Sequence, residues 1–269
     1  MDIQIEWWIE GIAGFAILGL SLGLVIAVMW ITRVSRKLKQ EQFRNRSLSS
    51  KYGKITEQFL PLVDSYPWNS EKFRFLGSPI DGVQFELEEL DKILIAASAV
   101  IPVFGFKEWH YTNLSGILLY PDYFNEDMQF SSKDNSRNIG GIVGNGRFEK
   151  QMILSKKALY HGFQNTTDKS NTGIHEFVHL IDKIDDQTDG VPERLLEHQY
   201  AIPWLNLIHK EIEAINDNHS DIRKYGGTNQ AEFFAVASEY FFERPDLLKK
   251  KHPDLYKMLV KCFNQKPIS

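Results

Sequence analysis

The stretch GIHEFVHLID, Gly173 to Asp182, constrains the fold more tightly than any other part of the chain. Ile174, Phe177, Val178, Leu180 and Ile181 surround its polar residues with apolar positions, so a helix here has little to offer water. His175, Glu176 and His179 are drawn toward the interior with it. Buried ionisable groups need partners, so the rest of the chain has to supply them.

Residues four apart on an α-helix lie one above the other, so His175 and His179 can present two imidazoles to one ion. Glu176 projects beside them, within reach of a water that a metal would activate, in the position of a general base. The plainer interpretation is a helix whose histidines only pack. A catalytic zinc takes three protein ligands and keeps one position open, so the motif needs a third ligand. His161, His198 and Glu232 are the candidates. Glu232 is the best placed. It lies in AEFFAVASEYFF, where Glu232 and Glu239 are seven apart on one helix face among almost wholly apolar neighbours. Cys262 is the sole cysteine, so no intrachain disulfide or cysteine-rich metal site can form, and a zinc would rest on His and carboxylate ligands.

A second feature divides the chain. Gly11 to Thr32 is a run of 22 uncharged residues, enough for a helix to cross a bilayer core of about 30 Å. Trp7, Trp8 and Trp30 lie near its ends, where indoles favour the lipid–water boundary. A cleaved signal peptide fits less well, because the front is acidic and Arg33 follows the run directly. Residues 33–54 carry eight Lys/Arg and one Glu, and a positive flank stays in the cytoplasm. The expected organisation is an anchor over 1–32, a basic juxtamembrane linker over 33–54, and a domain over 55–269 on the cytoplasmic face of the inner membrane. The whole chain is −4, and residues 55–269 are left at about −8 once both flanks are counted. An acidic body gives no footing for nucleic acid.

Within the body, apolar spacing predicts a helix over 87–101 and strands over 116–120, 139–143 and 151–154, with a loop over 124–136. Helices are expected over 172–184, 193–215, 229–243 and 254–263. Tyr225 to Gly227 is a break, with Thr228 as N-cap of the next helix. Early strands and late helices predict an α+β domain.

HEFVHLID, followed some fifty residues later by AEFFAVASEYFFERP, resembles the Mlc titration factor A family of bacterial zinc peptidases, whose catalytic core is similar to the anthrax lethal factor protease domain. LLYPDYF, IGGIVGNG and PDLYKMLVKCFNQKP extend the resemblance over roughly 55–267. It implies a zincin-like fold, one Zn2+ per chain held by His175, His179 and Glu232, and Glu176 as general base. It implies Tyr225 as the group that steadies the oxyanion, where the residues alone place a turn. Asp182 also matches: three residues after His179, it is expected either behind the ligands, holding an imidazole, or as a simple helix-end carboxylate, and Glu239 is expected behind the ligands. The implied substrate is a peptide or protein, and the alternative activity is capture of a transcriptional repressor, Mlc. Two departures stand out: Gly144 occupies the place of a further zinc-contacting histidine, and the best-known members lack the apolar run. Gln230 in place of a proline before Ala231–Glu232 is a minor one.

Overall fold

Short apolar runs and helices alternate to give a four-stranded sheet covered by helices. The computed structural model describes residues 74–76, 88–106, 109–127, 138–144, 149–165, 167–185 and 187–267. The apolar run over 11–32, the basic stretch over 33–54 and the expected domain start at 55 lie outside the described residues. Among the described residues no helix is long and apolar enough to cross a membrane.

The strands are β1 (Arg74–Leu76), β2 (Gly116–Tyr120), β3 (Gly141–Val143) and β4 (Gln151–Ser155), in the order β1-β2-β4-β3. β1, β2 and β4 run parallel, with β2 and β4 in register from Gly116↔Gln151 to Tyr120↔Ser155. All five residues of β2 are buried, as expected of a parallel strand covered on both faces. β3 pairs antiparallel to β4 and forms one edge. It is shorter than the 139–143 expected. Ile139 instead bridges Phe124 and packs on a cluster of Leu118, Tyr120, Phe124 and Ile153. Phe124, expected to open a loop, is thus a core residue.

The helices are α1 (Glu89–Val100), α2 (Lys156–Gln164), α3 (Thr172–Asp182), α4 (Ala201–Asn216), α5 (Gln230–Glu243), α6 (Pro245–Lys251) and α7 (Pro253–Phe263). The fold is mixed and mostly helical, in line with the α+β expectation. α2 was not anticipated; Ser155 ends β4 and at once caps α2, its hydroxyl accepting from the Ala158 N–H at 3.1 Å. α4 begins at Ala201 rather than near Glu193. Pro203 lacks an N–H and is tolerated only in the first turn, so the helix starts just before it, while Leu195 and Leu196 fill the core from a turn. The N-cap of α5 is Asn229 and not Thr228: its side chain accepts from the Glu232 N–H at 2.9 Å. Pro245 ends α5 as expected and then opens α6 from its N-terminal position.

α3 is the central helix. It packs against α1, α2, α5 and the sheet, and nine of its eleven residues are buried. Its contact with α1 is close enough to require glycine: a Cβ at Gly173 would lie 2.1 Å from Ser98 Oγ and 2.8 Å from Ser98 Cβ. Beyond α5, an aromatic core running from Trp204 to Phe234, Phe263 and Phe241 joins α4, α5 and α7, with successive ring centroids 5.8 Å apart. These large buried rings account for much of the apolar area removed from water.

A polar cluster fastens the segment before α5. Asp221 accepts from Lys169 Nζ at 2.7 Å, Tyr240 Oη at 2.9 Å and His252 Nε2 at 2.9 Å, and pairs with Lys251 at 3.1 Å. His252 reaches Glu211 through its other nitrogen at 2.9 Å. Burial works against the Asp221 charge, yet Lys169, His252 and Lys251 outweigh it and hold the carboxyl well below the usual carboxylate range.

Gly173→Ala should destabilise the protein by about 1–3 kcal/mol through overpacking, with Ser98→Gly in the same chain recovering part of the loss; urea unfolding checks both. Asp221→Asn should cost about 1–3 kcal/mol at neutral pH. Because the folded-state pKa of Asp221 is depressed, its contribution is complete above the unfolded value of about 4 and fades as pH falls below it. The gap between wild type and variant should therefore narrow in acid, as read by unfolding curves across pH.

Candidate metal centre

Two helix starts set the geometry. Asn171 caps α3, its side chain accepting from the Ile174 N–H, so His175 and His179 follow one turn apart. Asn229 caps α5 and puts Glu232 in its first turn. Helices α3 and α5 pack side by side, and their side chains meet at one point.

His175 Nε2 and His179 Nε2 are 3.1 Å apart, and Glu232 Oε2 lies 3.1 Å from the first and 3.4 Å from the second. Tetrahedral zinc with bonds of about 2.0–2.1 Å places neighbouring donors about 3.3–3.4 Å apart. The three atoms are arranged close to such a triangle, so these residues fit a zinc ion. Of the sequence candidates for a third ligand, the structure brings Glu232 to the histidines. His161 is on α2, exposed, with Nδ1 3.8 Å from Asp168. His198 lies in a 3-10 turn (His198–Tyr200) before α4.

Glu239, seven residues along α5 from Glu232, takes the opposite side of the same ring. Its Oε1 is 2.7 Å from His175 Nδ1. Two carboxylates on one helix thus grip the two nitrogens of one imidazole. A proton on Nδ1 shared with Glu239 leaves the Nε2 lone pair free for a metal. Burial opposes charge on His175, but Glu239 and Glu232 outweigh it and raise the ring pKa to about 10. Burial likewise opposes charge on Glu232, and the His175 and His179 rings overcome it and pull the carboxyl far down.

Glu176 is buried beside the triangle, and its pKa is raised, first by burial and then by Glu232 and Glu239 against the histidines. It is pressed on β3: a Cβ at Gly141 would lie 2.6 Å from Glu176 Cγ, so that strand position needs glycine. Tyr225 sits on a 3-10 turn (Lys224–Gly227), half exposed, its ring centroid 5.9 Å from that of His175. Burial and then the charge and hydrogen bond of Glu232 push its phenol up to about 12, so it stays a donor at neutral pH.

Asp182 is not joined to an imidazole. Its Oδ2 accepts from the Gly190 N–H at 3.0 Å, while Oδ1 and His179 Nδ1 both lack hydrogen-bond partners among the described residues. Burial lifts its carboxyl to about 7. Sequence reasoning missed Arg223, whose guanidinium pairs with Glu239. No spacing rule links those two residues, because one lies in a loop and the other on a helix.

Glu176, His175, His179, Tyr225 and Glu232 line a cleft of about 640 Å³, bordered by Gly141–Val143 of β3. Gly144 closes that strand, donating its N–H to Gln151 O at 2.8 Å and accepting from Lys183 Nζ at 3.4 Å.

Sequence comparison places the chain among known proteins. Residues 35–264 match the family described as Glucose-regulated metallo-peptidase M90, a match that begins within the basic stretch. Mlc titration factor A of Escherichia coli strain SMS-3-5 is 32% identical over 201 residues, covering 71% of this chain and 73% of the relative. The protein of that name from Shigella boydii is 31% identical over the same length and shares. An uncharacterized protein of Synechocystis is 29% identical over 193 residues, 68% of this chain and 70% of that one. With the family match spanning most of its length, this chain belongs to the glucose-regulated metallopeptidase family M90.

Proposed function

We propose that this protein is a membrane-anchored zinc peptidase that hydrolyses peptide bonds at the His175–His179–Glu232 centre. The observation that carries the proposal is the convergence of His175 Nε2, His179 Nε2 and Glu232 Oε2 within 3.1–3.4 Å, beside the buried carboxylate of Glu176.

His175, His179 and Glu232 would hold the ion. When bound, zinc supplies Lewis acidity, polarising a scissile carbonyl and easing deprotonation of water near neutral pH. Glu176 accepts the proton from the attacking water on its carboxylate and returns it to the leaving amine. Its burial helps here, because a carboxylate with a raised pKa is a stronger base than one in water. Tyr225 donates its phenolic proton in a hydrogen bond to the carbonyl oxygen as negative charge builds there. Glu239 keeps the His175 ring turned, with its Nε2 toward the centre. Among the described residues β3 is an edge strand, and it lies along the cleft, where an extended peptide can pair with it.

The anchor belongs to the same proposal. The uncharged run over 11–32, with basic residues directly after it, supports a single span with the domain on the cytoplasmic side. A second reading has one observation in its favour, the name Mlc titration factor A carried by relatives at 31–32% identity. Under that reading the anchored domain sequesters a repressor such as Mlc, and no general base is required.

The full chain should purify with about one zinc, and a strong chelator should abolish its peptidase activity until zinc is returned. Glu176→Gln should keep the zinc and lose about 100- to 10,000-fold in kcat. Equal activity in the variant, or no zinc in the wild type, would sink the enzyme reading. Repressor capture, if it occurs, should survive this substitution.

In cell fractionation the full chain should pellet with membranes, resist high salt and alkaline carbonate, and dissolve only with detergent. Recovery in the soluble fraction without detergent would remove the anchor from the proposal.

A further inference from the structure

The segment from Asp221 to Tyr225 touches the centre twice. Asp221 is held by Lys169, Tyr240 and His252, and Ile222 is buried in the core. Arg223 reaches Glu239, and the Tyr225 ring lies beside that of His175, with centroids 5.9 Å apart. The two glutamates lie on α5 and bracket the His175 ring from either nitrogen. Glu239 Oε2 also accepts from the Asn171 N–H at the start of α3.

The Arg223 guanidinium and the imidazole of His175 converge on one atom, Oε1 of Glu239. That carboxylate is buried, so its orientation is set by these neighbours and not by water. Two residues on from Arg223, the same backbone carries Tyr225 into the cleft. A shift of Arg223 would therefore reach the centre by two routes, through Glu239 to His175 and through the main chain to Tyr225.

We infer that Arg223 is a positioning residue, coupling the orientation of the His175 ring to the placement of Tyr225. This rests on the zinc-peptidase reading above. Among the described residues no hydrogen bond or ion pair joins Arg223 to the triangle itself; it acts through Glu239 and through the loop. The pair is a single nitrogen–oxygen contact, not a two-pronged fork, so a lysine of suitable reach can stand in for it.

The test uses the full chain in detergent, with zinc affinity measured by competition against a chromogenic chelator, and kcat and KM measured on one peptide substrate. Arg223→Ala should weaken zinc binding and lower kcat, each by about 10- to 100-fold, with KM changed by no more than about twofold. Arg223→Lys should recover most of both losses. Lys257→Ala, an exposed change on α7, should alter neither. An alanine variant with wild-type zinc affinity and kcat, and only a lower unfolding temperature, overturns the inference. If that variant fails to fold, Arg223→Gln is compared with Arg223→Lys, and equal zinc affinity and kcat in the two overturns it equally. A wild-type chain without zinc or activity would instead remove the peptidase reading, so the two failures are distinguishable.

Discussion

One carboxylate holds the functional half of the domain together. Glu239 accepts from the Asn171 N–H at the start of α3, meets His175 Nδ1 in the middle of α3, and pairs with Arg223 from the loop before α5. Helix packing alone leaves two neighbours free to slide or rotate by small amounts; three charged or charge-assisted contacts on one buried group remove that freedom. The relation of α3 to α5 is thereby tied to the setting of a single imidazole.

Around that contact the charge is unbalanced. Glu176, Glu232 and Glu239 crowd the two histidines, and further along Glu243 is lifted to about 8 by burial and then by Asp168 and Glu239. Carboxylates packed this closely favour a bound cation, since a divalent ion offsets what protons and one arginine offset only in part. The sheet contributes shape more than charge. Gly141 lets β3 lie against Glu176, and the antiparallel edge forms one wall of the cleft. Binding surface and charged centre therefore come from different layers, which meet only because α3 packs on the sheet.

The elements legible in the sequence were those whose causes are local. α3 and α5 follow from apolar spacing, and β2 from its unbroken apolar run before Pro121. His175 and His179 could be paired because helical spacing is a general rule, and Glu232 stood out as a carboxylate on an otherwise apolar helix. What escaped was either compressed or non-local. Ser155 ends a strand and starts a helix with no loop between, so α2 had no boundary to announce it. Pro203 marked the beginning of α4, and the apolar residues before it, Leu195 and Leu196, imitate helix periodicity from within turns. Glu239 stood out as a charge on an apolar helix, but its partners lie 64 and 16 residues away, and only tertiary packing reveals them. Asp182 shows the opposite case: its position on the helix suggested an imidazole, and the backbone of Gly190 took it instead.

His175 and Glu232 are 57 residues apart in the chain, and everything that overhangs the cleft from the helical side is carried between them. An ion gripped by both would close that stretch into a ring, much as a crosslink does, and a constrained chain has less entropy to regain on unfolding. Since a native-state ligand also stabilises by mass action, metal loading and resistance to opening rise together. Cellular proteases attack whatever opens, so the abundance of the protein would track the metal supply of the cell as well as its own synthesis.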